Sequence, residues 1–332
     1  MNRPYRYVKF TLLGLFLIMM TDLHSQDYID IRVHDPVMIK ENGTYYLFCT
    51  GRGITVYSSN DMKDWKRENP VFSEPPEWAL KSVPEFRGHI WAPDISFHNG
   101  QFYIYYSVSA FGKNTSCIGV ATNKTLDANS QDFEWVDHGK VVQSVPGRDL
   151  WNAIDPNLAF NEQGEPWLAF GSFWSGMKLV KLDKSLLNID QPEKWHTISK
   201  RERSYKTDDY DPGEGAVEAP FIFRKNGYYY LFVSFDYCCR GVNSTYKIVV
   251  GRSTDIIGPY IDKDSVRMDQ GGGTLVLQGN SNWNGVGHNS AYTFNGIDYL
   301  VCHAYDADDE GKPKLIIREI NWDDNDWPVV AW

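Results

Sequence analysis

The chain has little that would tie it to a membrane or to nucleic acid. Its N-terminal apolar stretch, FTLLGLFLIMM at residues 10–20, is too short to cross a bilayer as a helix. Basic residues are outnumbered, 33 to 43, which leaves a formal net charge of -10 over 332 residues. Such a surface disfavours nucleic acid, acidic polysaccharides and anionic lipid. Low-complexity tracts are missing, so the whole chain reads as globular. Cysteine is scarce: five residues, an odd number, so at least one has no partner within the chain. Cys238 and Cys239 are adjacent and lack a second pair at metal-ligand spacing; a vicinal disulfide and two buried thiols both fit them.

What is present begins with an export signal. Arg3, Arg6 and Lys9 precede the apolar core, TDLHSQ follows it, and cleavage is expected after Ser25. A short buried helix is the competing reading. No cysteine lies there to carry a lipid. Removing residues 1–25 takes away three positive charges and one negative and leaves -12, so the expected partner of the mature chain, residues 26–332, is neutral. The aromatic content is high, 15%, with 12 Trp and 20 Tyr. That suits many short strands, and it also suits flat rings stacking on sugars.

One pattern recurs five times: DPVMIKENGTYYLFCTG, APDISFHNGQFYIYYSV, DPNLAFNEQGEPWLAFGS, APFIFRKNGYYYLFVSF and HNSAYTFNGIDYLVCHA. Each copy has a head, an alternating strand, a tight turn with Gly43, Gly100, Gly164, Gly227 or Gly296, and a second strand. Asn-Gly at four of the turns is a strong hairpin signal, because both residues tolerate positive φ. The heads fall at Pro36, Pro93, Pro156, Pro220 and Asn289, at intervals of 57 to 69 residues. A third strand follows each hairpin, and a fourth is expected near Trp65, Trp135, Trp195 and Trp327. Four antiparallel strands in each of five repeats, with almost no helix, predict an all-β, five-bladed β-propeller forming a single domain.

In a propeller the heads of the innermost strands crowd one end of the central channel. The head residues are Asp35, Ala92, Asp155, Ala219 and His288, with Glu218 one position earlier in the fourth copy and Asp94 displaced in the second. Asp-Pro is by itself a common strand-entry turn. Three carboxylates on one rim are costly unless they have a purpose. Paired carboxylates across a glycosidic bond are the equipment of a glycoside hydrolase, one donating a proton and one activating water. Asp35 suits the base, and Glu218, with its longer side chain, the acid. Asp155, flanked by Asn152 and Asn157, suits a permanently charged helper that raises the acid's pKa.

The motifs HDP, WAPD, NAIDPN, GSFWSG, VEAP, CCRGVNSTYKIVVGRS and GHNS together resemble the arabinanases of glycoside hydrolase family 43, over essentially the whole mature length. The resemblance implies a five-bladed propeller that inverts anomeric configuration, with Asp35 general base, Glu218 general acid and Asp155 the modulator of the acid's pKa. It implies cleavage of internal α-1,5-L-arabinofuranosidic bonds in arabinan, a neutral plant polysaccharide; the exported chain is expected to be a monomer. It places Trp91 and Phe111 as stacking platforms, with Gly112 keeping the wall low. Asn152, Ala153, Ile154 and Asp155, and Ser172, Phe173 and Trp174, fall in segments that touch substrate. His288 corresponds to a histidine beside a bound metal, taken as calcium, near the propeller axis. On spacing alone His288 reads as a satisfied polar core residue, since calcium prefers oxygen ligands, and each aromatic taken singly reads as core rather than platform. Two other readings stand: an exo-acting member releasing arabinose or xylose, and a sugar-binding propeller without catalysis. Residues 74–90 and 200–216 are the expected rim loops that would decide between open and closed cleft ends.

Overall fold

A computed structural model describes Met1 and residues 30–332; the expected export signal and its cleavage site lie outside the described residues. Four of the Gly turns close as two-residue hairpins with positive φ at both positions: Asn42–Gly43, Asn99–Gly100, Asn226–Gly227 and Asn295–Gly296. The third copy, lacking Asn-Gly, turns over Asn161–Glu165. There Asn161 and Gly164 share one backbone hydrogen bond, Asn161 and Glu165 another, and Gly164 alone takes the left-handed conformation.

Each hairpin starts a sheet. The first blade comprises Val37–Glu41, Thr44–Cys49, Thr55–Ser59 and Lys66–Arg67, all antiparallel. The second comprises His89–His98, Gln101–Val108, Ser116–Asn123 and Val136–Ser144, with Gly51–Arg52 added at its inner edge. The third runs from Asn157–Phe160 to Trp195–Ser199, and the fourth from Val217–Lys225 to Thr274–Gln278.

The fifth blade departs from expectation. It has three strands of its own, Trp283–Phe294, Ile297–Asp306 and Pro313–Glu319. The residues around Trp327 instead form a separate two-stranded ribbon, Asn321–Trp322 with Pro328–Val329. Trp327 is buried between the fourth and fifth blades, under the Arg252 guanidinium at 4.4 Å, and so is spent on packing. The outer position of the fifth blade is filled from the N-terminal side: Arg32 pairs with Lys314, Val33 N–H donates to Pro313 O (3.2 Å), and Leu315 N–H donates to Ile31 O (3.3 Å). First and last segments thus close the ring.

Alternation along the strands explains why blades stack radially. In Gln101–Val108, Phe102, Ile104 and Tyr106 enter the cluster against the first blade, while Tyr103 and Tyr105 enter the cluster against the third. A strand with apolar residues on both faces must be covered twice, and a closed ring of sheets does that for every blade. Five clusters result, one between each pair of neighbours. Three cysteines, Cys49, Cys117 and Cys302, are buried free thiols in them, and Cys238 is disulfide-bonded to Cys239.

The two expected rim loops differ. Residues 74–90 are only partly a loop: they contain the one α-helix among the described residues, Glu77–Ser82, and bury Ala79, Val83, Phe86 and Ile90 against the first and second blades. Their apolar residues recur at a spacing of three to four, which gives a helix one sticky face. Residues 200–216 stay irregular and mostly exposed. No helix among the described residues is long and apolar enough to cross a membrane.

Candidate active site

The five head residues share one backbone conformation. Asp35, Ala92, Asp155, Ala219 and His288 all have positive φ, between 40° and 58°. For residues other than glycine this costs about 1–3 kcal/mol each and persists only where surroundings enforce it. The enforcement is visible. Ala92 N–H donates to Thr50 Oγ1 (2.8 Å), Asp155 N–H to Ser107 Oγ (2.9 Å), His288 N–H to Ser234 Oγ (2.8 Å) and Asp35 N–H to His303 Nδ1 (3.2 Å). Each acceptor lies at or near the C-terminal end of the second strand of the preceding blade. The fourth blade breaks the pattern: Ala219 N–H donates to Asp155 Oδ2 (3.2 Å), and Ser172, in the equivalent position, donates to Glu218 Oε2 (2.7 Å). A serine has been released from backbone duty to hold an acid.

Asp35 is 7% exposed and surrounded by donors. Its Oδ1 meets His34 Nδ1 (2.8 Å) and His288 Nδ1 (3.0 Å), and its Oδ2 accepts from Thr50 Oγ1 (2.5 Å). Burial alone would raise its pKa, but the charges and hydrogen bonds of His288 and His34 outweigh it and hold the carboxyl well below the usual range. His288 responds in the opposite sense: burial lowers its pKa, yet Asp35, Asp155 and Glu218 together push it up to about 9. His303 stacks on His34 with ring centroids 3.9 Å apart; burial, with the neighbouring imidazoles, holds it far below the ordinary histidine value. It is therefore neutral, and its 3.8 Å approach to Asp35 is not an ion pair.

Asp155 differs from its expected state. Asn152 donates to Lys113 O, and Asn157 donates to Asp94 Oδ1, so neither asparagine serves Asp155. Burial first, then the charges of Glu218 and Asp35, push its pKa well above the ordinary value, against the opposing charge of His288. Asp155 is thus biased toward its protonated form, while Asp35 is held ionised. Asp94 is not a rim residue. It lies 2% exposed, bound by Asn157 and by Leu158 N–H (2.8 Å), and burial raises its pKa to about 6. It ties the second blade to the third.

The expected sugar contacts divide. Phe111 is 80% exposed, beside Gly112 with open space above its Cα. Trp91 is half-buried, its indole N–H on His89 Nδ1 (3.0 Å), and Phe173 is half-buried near Tyr237. Ala153 and Ile154 are buried, Ala153 within the cluster between the second and third blades. Trp174 is 3% exposed and donates its indole N–H to Asp209 O, so it anchors residues 200–216 and presents no open face. Asn152 is buried, and its Oδ1 has no partner. Sequence reasoning passed over Thr50, His303, Tyr305 and Tyr246. Tyr305 OH bonds His34 Nε2 (2.9 Å) and accepts from Cys239 N–H (2.7 Å), placing the disulfide loop against the histidine that holds Asp35.

The profile of glycosyl hydrolases family 43 matches residues 28–328. The extracellular exo-α-(1→5)-L-arabinofuranosidase of Cellvibrio japonicus is 54% identical over 300 residues, covering 90% of this chain and 86% of that protein. The extracellular endo-α-(1→5)-L-arabinanase 1 of Bacillus subtilis is 46% identical over 300 residues, covering 89% and 87%. Among solved structures, the Cellvibrio cellulosa α-L-arabinanase complexed with arabinohexaose superposes with a TM-score of 0.90 at 54% identity, covering 91% of this chain and 96% of that one.

Proposed function

Because the chain belongs to family 43 of the glycosyl hydrolases, we propose that it hydrolyses α-1,5-L-arabinan and arabino-oligosaccharides with inversion, using Asp35 as general base and Glu218 as general acid. One observation carries the reading: carboxyls from different blades meet in one pocket in opposite environments, Asp35 held ionised among imidazoles and Asp155, facing Glu218, pushed away from ionisation. Oδ1 of Asp35 is saturated by two imidazoles, whereas Oδ2 has one donor and keeps a lone pair for a water. That water loses a proton to Asp35 as it attacks the anomeric carbon. Glu218 gives its proton to the departing glycosidic oxygen, and Asp155 beside it keeps that proton in place by repulsion. Phe111 supplies an open ring for a furanose, and the names of the relatives support export.

The endo mode follows from the resemblance and from the 46% relative's name; an exo mode is favoured by the name of the 54% relative. Products from linear arabinan over time separate them. Mixed oligosaccharides with a rapid fall in viscosity establish endo attack, and a single released sugar from the first minutes establishes exo attack. Asp35→Asn and Glu218→Gln each abolish turnover with the fold retained. Wild-type turnover in either sinks the assignment.

A calcium ion at His288 would have Nε2 as its protein ligand and water for the rest of its shell. The Nδ1–H keeps donating to Asp35, a carboxylate–histidine arrangement suited to a metal-bound ring. The same three carboxylates that raise the His288 pKa favour a cation there. Such an ion would fix the ring that orients Asp35. Calorimetry on adding calcium should show about one proton released as Nε2 is deprotonated; binding without proton release argues against His288 as ligand.

A further inference from the structure

From this assignment of Glu218, on which the inference rests, we infer that Tyr246 is a positioning residue for the acid: it holds the non-reacting oxygen, Oε1, and leaves Oε2 to carry the transferred proton. Tyr246 OH donates to Oε1 at 2.6 Å, and Ser172 Oγ to Oε2 at 2.7 Å. The two donors are not equivalent. Tyr246 is 1% exposed, and its ring packs tightly against Gly287, where a Cβ would come within 2.1 Å of the ring. The ring also approaches His303, centroids 6.1 Å apart. A side chain walled in this way cannot swing aside for a substrate. Ser172, with a short side chain whose hydroxyl rotates, can yield Oε2.

Burial first, then the charges of Glu218 and Asp155, keep the phenol protonated far above neutral pH, so it acts only as a donor toward the acid. Its hydrogen bond strengthens as Glu218 loses its proton and charge develops on the carboxylate. The phenol therefore favours the transition state of proton donation more than the ground state. Tyr246 belongs to the CCRGVNSTY segment, whose Cys239 touches the relay through Tyr305 and His34 to Asp35. One loop between neighbouring strands thus braces both ends of the site.

The test is Tyr246→Phe, which keeps the ring on Gly287 and removes only the hydroxyl. On an arabino-oligosaccharide, kcat should fall about 10- to 100-fold with KM unchanged. The alkaline limb of kcat/KM should move up by about one pH unit. A nitrophenyl arabinofuranoside, whose leaving group departs without a proton, should lose far less. A 3-fluorotyrosine at 246, a stronger donor in the same shape, should move the alkaline limb downward. Equal losses on both substrates with an unmoved limb, or shifts of the same sign for both variants, would overturn the inference. Wild-type oligosaccharide turnover in Glu218→Gln would instead overturn the acid assignment, and with it the premise.

Discussion

Asp35, Asp155 and Glu218 show how three similar side chains are given different work by their neighbours. Asp35 sits among imidazoles and a threonine hydroxyl and stays ionised. Asp155 is buried and faces another acid, so it resists ionisation despite the one backbone N–H it receives. The sign for a variant follows. Asp155→Asn keeps an acceptor for Ala219 N–H but removes the repulsion that retains the proton on this side of the pocket. The alkaline limb of kcat/KM should therefore move to lower pH, alongside a slower reaction; an unmoved limb in a pH–rate profile would remove the modulating role. Asp35, Asp155 and Glu218 were readable as candidates because each stands at or beside a repeated head. Their proton states were not readable: the expectation drawn from Asn152 and Asn157 failed because both amides are turned to other partners.

At the scale of the strand and its turn, local signals were strong. Four Asn-Gly pairs demanded positive φ at two successive residues, and four two-residue hairpins formed. A further signal lies in the spacing after each turn. Counting seven residues from Gly43, Gly100, Gly227 and Gly296 leads to Thr50, Ser107, Ser234 and His303, and these are the four that hold the left-handed heads. The third copy has one extra residue, and the count there leads to Ser172 at the eighth. A polar residue ending an apolar strand at the same place in every repeat marks a shared bond. Residues 74–90 misled for a different reason. They were expected only as a rim loop of undetermined shape, whereas Ala79, Val83 and Phe86 pull them against the first and second blades.

For the molecule as a whole, closure of the ring is the structural decision with the widest effect. Residues 31–33 complete the fifth blade, Val33 is 1% exposed between the fifth and first blades, and Lys314 pairs with Asp30 and Asp309. Removing residues 30–33 deletes two backbone hydrogen bonds and one fully buried valine, worth about 3 kcal/mol. A lowered thermal midpoint, with activity lost at lower temperature, is expected. An unchanged midpoint would mean that the ring closes without this strand. Repetition in the sequence determined the blade count and the convergence of the heads, because strand pattern and turn chemistry act over a few residues and declare themselves locally. Tertiary structure alone decided which strand completes the last blade, which aromatics stay open and which carboxyl keeps its proton. Each of these depends on groups well separated in the chain, up to the 268 residues between Asp35 and His303, whose distances no local pattern encodes.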